Sequence, residues 1–160
     1  MVSSINLLKP VPAFAATSNA DQVNVTGDGT SYTILFPDEI FDNDNNFASP
    51  NFTAPVVGKY IFGICLQLDG ITAAMNNALF TISIGASGGY RLLQCSYVPG
   101  QDVAGRIAYS WTVSAYLNAL DTAHVSMVIQ GGAKVVSVLG STGLAPQRNP
   151  YFWGYLVSEV

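Results

Sequence analysis

The stretch Asn51–Leu68, NFTAPVVGKYIFGICLQL, decides the fold class of this chain. From its tenth residue onward, every second side chain is large and apolar, and the members of this series are Tyr60, Phe62, Ile64, Leu66 and Leu68. A period of two is typical of a β-strand, whose side chains point alternately to opposite faces. The stretch therefore predicts a strand with one face built for a hydrophobic core.

The rest of the chain repeats this pattern of short strands and turns. We predict further strands within 31–36, 79–85, 90–98, 106–120, 124–130, 133–140 and 150–158. The residues ASGG at 86–89 and GG at 131–132 predict hairpins, PDEIFDNDNN at 37–46 predicts a loop, and 69–78 predicts a connection with room for a short helical turn. Many short strands separated by turn signals indicate an all-β, antiparallel two-sheet sandwich or jelly roll.

Composition limits the organisation of the chain and its partners. Its 160 residues suffice for one domain, 13–160, preceded by an N-terminal arm, 1–12, with the boundary at Pro10 and Pro12. Only 10% of the residues are charged, so we expect other subunits to cover part of the surface. The net charge of −4, without a basic cluster, argues against nucleic-acid binding. We also expect neither a signal peptide nor a membrane span.

Two separated motifs resemble the globular-head family of complement component C-one-q, which shares a trimeric jelly roll with tumour necrosis factor. The first motif runs from an aromatic through a proline into Gly-x-Tyr-x-Phe, and its residues are Phe52, Pro55, Gly58, Tyr60 and Phe62. The second lies about ninety residues later in the family's last strand, at Phe152, Gly154, Tyr155 and Leu156. The segments 12–19 and 117–129 are similar to its first and seventh strands. Gly58 and Gly154 also have a packing explanation, since glycine permits tight entry and close backbone approach.

The resemblance implies a homotrimer. In the family one sheet faces the three-fold axis, and it would contain the strands near 13–18, 59–68, 107–117 and 151–158. We therefore expect Tyr60, Phe152, Trp153 and Tyr155 at the trimer interface. A monomer whose loops cover the second face of this sheet is the alternative.

We expect no enzymatic activity and no cofactor. The residues GASGG at 85–89 fit the GxSxG pattern, with Ser87 as nucleophile and His124 and Asp102 or Asp121 as partners. A nucleophile elbow needs a strand that turns into a helix, however, and the next segment has a strand pattern. His124 is expected to be exposed or hydrogen-bonded. Cys65 and Cys95 are expected to be buried thiols, and whether they pair stays open.

A calcium site of the helix-loop-helix type is excluded at the Asp/Asn-rich loop. Asp42 and Asp44 have the spacing of its ligands, but Phe47 stands where that loop needs glycine, and Thr53 stands where it needs glutamate. We therefore assign no metal, although calcium binding by jelly-roll loops stays open. Asp42, Asp44, Tyr90 and Arg91, together with Tyr97, are expected to face a ligand.

Two functions follow from these expectations. The first is a trimeric virion surface protein, most simply of a phage, that decorates a capsid or forms the knob of a head or tail fibre. Its partners would be the major capsid protein or a fibre, and residues 1–12 would be its docking arm. The alternative is an extracellular globular-head module, secreted or displayed by a cell, that binds a host glycan or a receptor.

Overall fold

The computed structural model describes residues 10–85, 90–91, 105–141 and 149–160. These residues form thirteen β-strands and no helix. The strands are β1 (Ala13–Thr17), β2 (Gln22–Thr26), β3 (Ser31–Thr33), β4 (Asp38–Asn43), β5 (Phe47–Ala48), β6 (Asn51–Thr53), β7 (Gly58–Asp69), β8 (Asn77–Ile84), β9 (Tyr90–Arg91), β10 (Ile107–Leu117), β11 (Thr122–Gln130), β12 (Val136–Val138) and β13 (Tyr151–Glu159).

The strands form two antiparallel sheets. Sheet 1 has the order β2-β12-β7-β13-β1-β4, and β10 also pairs with β7. Sheet 2 has the order β5-β6-β11-β8-β9, and β3 also pairs with β11. The all-β, antiparallel two-sheet architecture expected from the sequence is thus confirmed.

The core between the sheets is centred on a cluster of phenylalanines. The ring of Phe14 lies 4.7 Å from that of Phe47 and 4.9 Å from those of Phe52 and Phe152. The alternating apolar residues of β7 all face this core, with at most 1% of each side chain exposed, and they are Tyr60, Phe62, Ile64, Leu66 and Leu68. The prediction made from the opening stretch is therefore confirmed.

Gly154 allows the last strand to pack tightly against this cluster. A Cβ atom at this position would lie 2.5 Å from Cδ1 of Phe62 and 2.9 Å from Cε1 of Phe14. Atoms do not approach so closely without displacement, so the two rings occupy the space that a larger side chain would need. The close approach expected at this glycine is confirmed.

The predicted Asp/Asn-rich loop at 37–46 is largely a strand. β4 pairs with β1 along Asp38–Asn43, and only the residues after it form a turn. Acidic side chains are tolerated here because β4 is an edge strand of sheet 1, where charge also discourages pairing with other chains. The composition of the segment was typical of a turn, but pairing with β1 outweighs that preference.

The predicted hairpin at Gly131–Gly132 is wrong, because the chain crosses between the sheets there. β11 lies in sheet 2 and β12 in sheet 1. Gly131 has a φ of +97°, a conformation that favours glycine, and the Gly132 amide donates to the Gly27 carbonyl at 3.0 Å. Two segments of alternating apolar and polar residues joined by Gly-Gly are found at crossovers between sheets as well as in hairpins. The hairpin expected at 86–89 and the strand expected beyond Arg91 lie outside the described residues.

The connection expected at 69–78 is shorter, because β7 ends at Asp69 and β8 begins at Asn77, and it contains a turn. The Met75 amide donates to the Thr72 carbonyl at 3.1 Å, and the Met75 side chain is 1% exposed. The turn therefore inserts one apolar side chain into the core.

A candidate interaction surface

The outer face of sheet 1, which points away from the core, carries a group of large apolar side chains. We call this group the aromatic face, and its members are Phe41, Ile61, Tyr151, Trp153 and Tyr155. Strand pairing places them in neighbouring positions, because Tyr155 is opposite Ile61 and Tyr151 is opposite Cys65. These side chains have no second layer above them in the described part of the chain.

Gly63 supports the centre of the aromatic face. A Cβ atom at this residue would lie 2.1–2.4 Å from three atoms of the Trp153 indole, so the indole lies against the backbone of β7. The Tyr155 ring is stacked beside it, with 5.9 Å between ring centroids and 13° between ring planes. Glycine in β7 therefore lets the two rings form a flat surface.

Two members of the aromatic face are exposed to solvent. Phe41 retains 47% of its accessible surface and Tyr155 retains 42%. Trp153 and Ile61 are half-buried. A contiguous apolar patch on a chain with few charges marks a surface for contact with another protein.

Two of the residues expected at the interface lie elsewhere. Tyr60 and Phe152 are 0% exposed in the core, because alternation along β7 and β13 turns them inward. Trp153 and Tyr155 do lie on the outer face. Phe41 and Ile61 were not predicted. The segment of Phe41 has the composition of a loop, and Ile61 shares its face of β7 with small and polar residues, Gly63, Cys65 and Gln67.

Cys65 lies beside the aromatic face and is a free thiol. It is half-buried rather than buried, and its Sγ lies 3.4 Å from Oδ1 of Asn149. Burial raises the pKa of the thiol, so the neutral form is favoured. Cys95 lies outside the described residues.

The Asp42 carboxylate closes the turn between β4 and β5. Its Oδ1 accepts a hydrogen bond from the Asn46 amide at 3.1 Å and its Oδ2 accepts one from the Phe47 amide at 2.8 Å. Asp44 and Asn45 have φ values of 72° and 53°, which Asp and Asn adopt readily, and Asp44 is exposed. Asp42 therefore has a structural role, and Asp44 is the carboxylate at the tip of this turn.

No metal cluster is evident in the part of the chain that the structure describes, where no three His, Cys, Asp or Glu side chains come together to hold an ion. For Tyr90 and Arg91 the structure describes the strand position, opposite Ile84 and Ser83, and not the side chains. Tyr97 lies outside the described residues.

Of the suggested serine, histidine and aspartates, the structure describes Asp121 and His124. Oδ2 of Asp121 accepts hydrogen bonds from the backbone amide and the side-chain amide of Asn118, at 2.8 and 3.3 Å. Nδ1 of His124 is buried and has no hydrogen-bond partner among the described residues, while the side chain as a whole is half-buried. Ser87 and Asp102 lie outside the described residues.

We expect His124 to make the stability of the fold depend on pH. Burial lowers the pKa of this imidazole below its ordinary value of 6.5, so the unfolded chain takes up a proton at a higher pH than the folded chain. As pH falls from 7.5 through 6.5 to 5.5, we expect the urea midpoint to decrease. In His124→Gln the decrease should be smaller, because this is the single histidine of the chain. A variant with the same pH dependence as the parent would contradict this explanation.

Within the described ranges, the structure contains no helix that is long and apolar enough to cross a membrane. Comparison with protein-family models gives no match, and comparison with curated proteins gives none either.

Solved structures share the fold of this chain. The globular domain of zebrafish complement 1qA matches with a TM-score of 0.58 and 14% identity over 94% of this chain and all of that one. Murine APRIL at pH 5.0 matches with a TM-score of 0.64 and 8% identity, over 92% of this chain and all of that one. Murine APRIL at pH 8.0 matches with a TM-score of 0.60 and 10% identity, over 92% of this chain and 98% of that one. The chain therefore has the jelly-roll fold of complement globular domains and tumour necrosis factor-like proteins.

Proposed function

We propose that this chain is a homotrimeric, non-enzymatic globular-head module that binds a receptor or a glycan outside the cell. The observation that carries the proposal is the aromatic face, which leaves Phe41 and Tyr155 more than 40% exposed on one side of the sandwich. Burying such a face against identical copies removes apolar surface from water without any additional partner. The shared jelly-roll fold and the motif resemblance support the same assembly.

In this proposal loops outside the contact between subunits bind the ligand. The turn at Asp44 and the positions of Tyr90 and Arg91 remain the candidates, because the first offers an exposed carboxylate and the others lie at the start of a segment with polar and aromatic residues. Neutral glycans and protein loops both bind through such mixed polar and aromatic surfaces.

The comparisons favour this module over the virion surface role expected first. The solved structures described above come from zebrafish and mouse proteins, and they offer no support for a viral origin or for capsid decoration. Docking through residues 1–12 belongs to the virion hypothesis and is not part of the present proposal.

Light scattering on the purified chain tests the assembly. We expect a mass three times the 16.9 kDa of one chain. Tyr155→Glu should reduce the mass to that of a monomer, because an unpaired carboxylate at a buried contact costs several kcal/mol. A loss of that size weakens association by at least a hundredfold.

Ser31→Glu is the matched control, because Ser31 is exposed on β3 in sheet 2, away from the aromatic face. It should leave the trimer intact. A monomeric parent chain would overturn the proposal, and so would a Tyr155→Glu variant that stays trimeric at micromolar concentration.

A further inference from the structure

Two triplets of the sequence match the acceptor signal for N-linked glycosylation, in which a Ser or Thr follows an Asn by two positions and the middle residue is not proline. They are Asn-Val-Thr at residues 24–26 and Asn-Phe-Thr at residues 51–53. Such triplets also arise by chance, so the surroundings of each asparagine decide whether it suits a glycan. A glycan is bulky and hydrophilic, and it therefore requires a side chain that reaches solvent.

The structure favours Asn24 over Asn51 as the attachment site. Asn24 is exposed, whereas Asn51 is half-buried. The pairing of β2 with β12 shifts register between Val136 and Val138, and Asn24 lies in the resulting bulge with a φ of 53°. Its backbone amide donates to Oγ of Ser137 at 3.0 Å, and its side-chain amide makes no hydrogen bond within the described ranges. The bulge therefore turns the Asn24 side chain outward from the edge of the sheet.

β2 is an edge strand of sheet 1 that carries no charge. Its sequence is QVNVT, whereas β4, at the other end of the sheet order, contains three acidic residues. Val23 is exposed on β2, and the exposed Leu35 lies beside the start of the strand, because the Leu35 amide donates to Oε1 of Gln22 at 2.9 Å. Natural edge strands are protected from pairing with other chains, most simply by charge. An uncharged edge with two exposed apolar side chains needs a different cover.

We propose that Asn24 carries an N-linked glycan and that this glycan covers the β2 edge. The inference rests on the extracellular role proposed above, because secreted proteins are the ones that receive this modification. The co-substrate is an oligosaccharide linked to a lipid diphosphate. Nδ2 of Asn24 attacks C1 of the first sugar, the Nδ2–C1 bond forms, and the C1–O bond to the lipid diphosphate breaks. The lipid diphosphate leaves with the bonding electron pair, and the proton lost from Nδ2 passes to a base of the transferase.

The third residue of the triplet determines when the transfer takes place. Thr26 is fully buried, and its hydroxyl donates to the Thr30 carbonyl at 2.6 Å and accepts from the Ile129 amide at 3.0 Å. A transferase that reads both the asparagine and the threonine cannot reach this hydroxyl in the folded domain. The glycan is therefore added during synthesis, before β2 pairs with β12, and the test requires cells that secrete the chain.

Secretion of the full chain from cultured animal cells, behind an added signal peptide, tests the attachment site. We expect the secreted protein to move faster on a denaturing gel after treatment with peptide-N-glycosidase. This enzyme leaves an aspartate at a glycosylated asparagine, so mass spectrometry of the peptides should find it at position 24. Asn24→Asp should abolish the change in mobility, and aspartate tolerates the positive φ of this position. Asn51→Gln, the matched control, should keep the change.

The outcomes separate this inference from the proposed function. A secreted trimer without a glycan at Asn24 would overturn the inference and leave the trimeric module standing. A glycan on Asn51 instead of Asn24 would overturn the choice made from exposure. A monomer that is glycosylated at Asn24 would contradict the proposed trimer and confirm the attachment site.

Light scattering at increasing protein concentration tests the cover. We expect the unglycosylated chain from bacteria to associate beyond the trimer at a lower concentration than the secreted glycoprotein. In the unglycosylated chain, Val23→Lys should raise that concentration, because a charge then protects the edge. Ser31→Lys adds the same charge on exposed β3 and is the control. Equal behaviour of the two proteins, or an equal gain from both lysines, would overturn the covering role of the glycan.

Discussion

Replacing Phe62 with alanine is expected to lower the free energy of unfolding by about 3–5 kcal/mol. Its ring is fully buried and lies 5.7 Å from that of Phe52 and 6.1 Å from that of Phe152. Removing it leaves a cavity between the two sheets that neighbouring rings cannot fill without leaving their rotamers. Urea denaturation followed by circular dichroism measures the effect, at one protein concentration because assembly contributes to apparent stability.

Val23→Ala is the matched control for this measurement. Val23 is 63% exposed on β2, so its truncation should change the free energy of unfolding by no more than about 0.5 kcal/mol. If Phe62→Ala and Val23→Ala had equal effects, the phenylalanine cluster would not be the main source of stability.

Adding one methyl group at Gly154 is expected to destabilise the protein by about 1–3 kcal/mol. The new Cβ would lie 2.5 Å from Cδ1 of Phe62, and this ring is held by the rest of the cluster. Gly154→Ala therefore forces β13 away from β7 or moves Phe62 from its rotamer. Urea denaturation again gives the magnitude, and Ser158→Ala on the exposed end of β13 is the control.

A compensating substitution tests the cause of this loss. Phe62→Val removes the Cδ1 atom that the new methyl group would meet, so Gly154→Ala should cost less in the Phe62→Val background than in the parent chain. The difference between the two costs is the coupling energy of the pair. Additive effects would show that the loss comes from the backbone of β13 and not from the contact with Phe62.

The sequence predicted the interior of the sandwich better than its edges. Alternation in β7 and β10 identified the core-facing side chains, because burial of one face imposes a period of two. β4 was not predicted, because its acidic residues are typical of a turn as well as of an edge strand. The crossover at Gly131 was mistaken for a hairpin, because sequence spacing does not reveal which sheet receives the next strand.

The candidate site was predicted in part. Trp153 and Tyr155 were expected at an interface, and they lie on the outer face of sheet 1. Tyr60 and Phe152 were grouped with them because the family motif contains residues from both faces of each strand. The alternation of side chains along β7 and β13 does separate the two faces. Phe41 meets the others only through the pairing of β4 with β1, a contact between distant segments that no local pattern encodes.

The position of β13 has a consequence for protein synthesis. This strand ends the chain, yet it lies between β7 and β1 in the middle of sheet 1. A nascent chain that lacks it cannot join these two strands, and it exposes the aromatic rings that Phe152 covers. The domain therefore reaches its native state only after β13 has been synthesised, and the apolar surface that is exposed until then makes the nascent domain prone to aggregation.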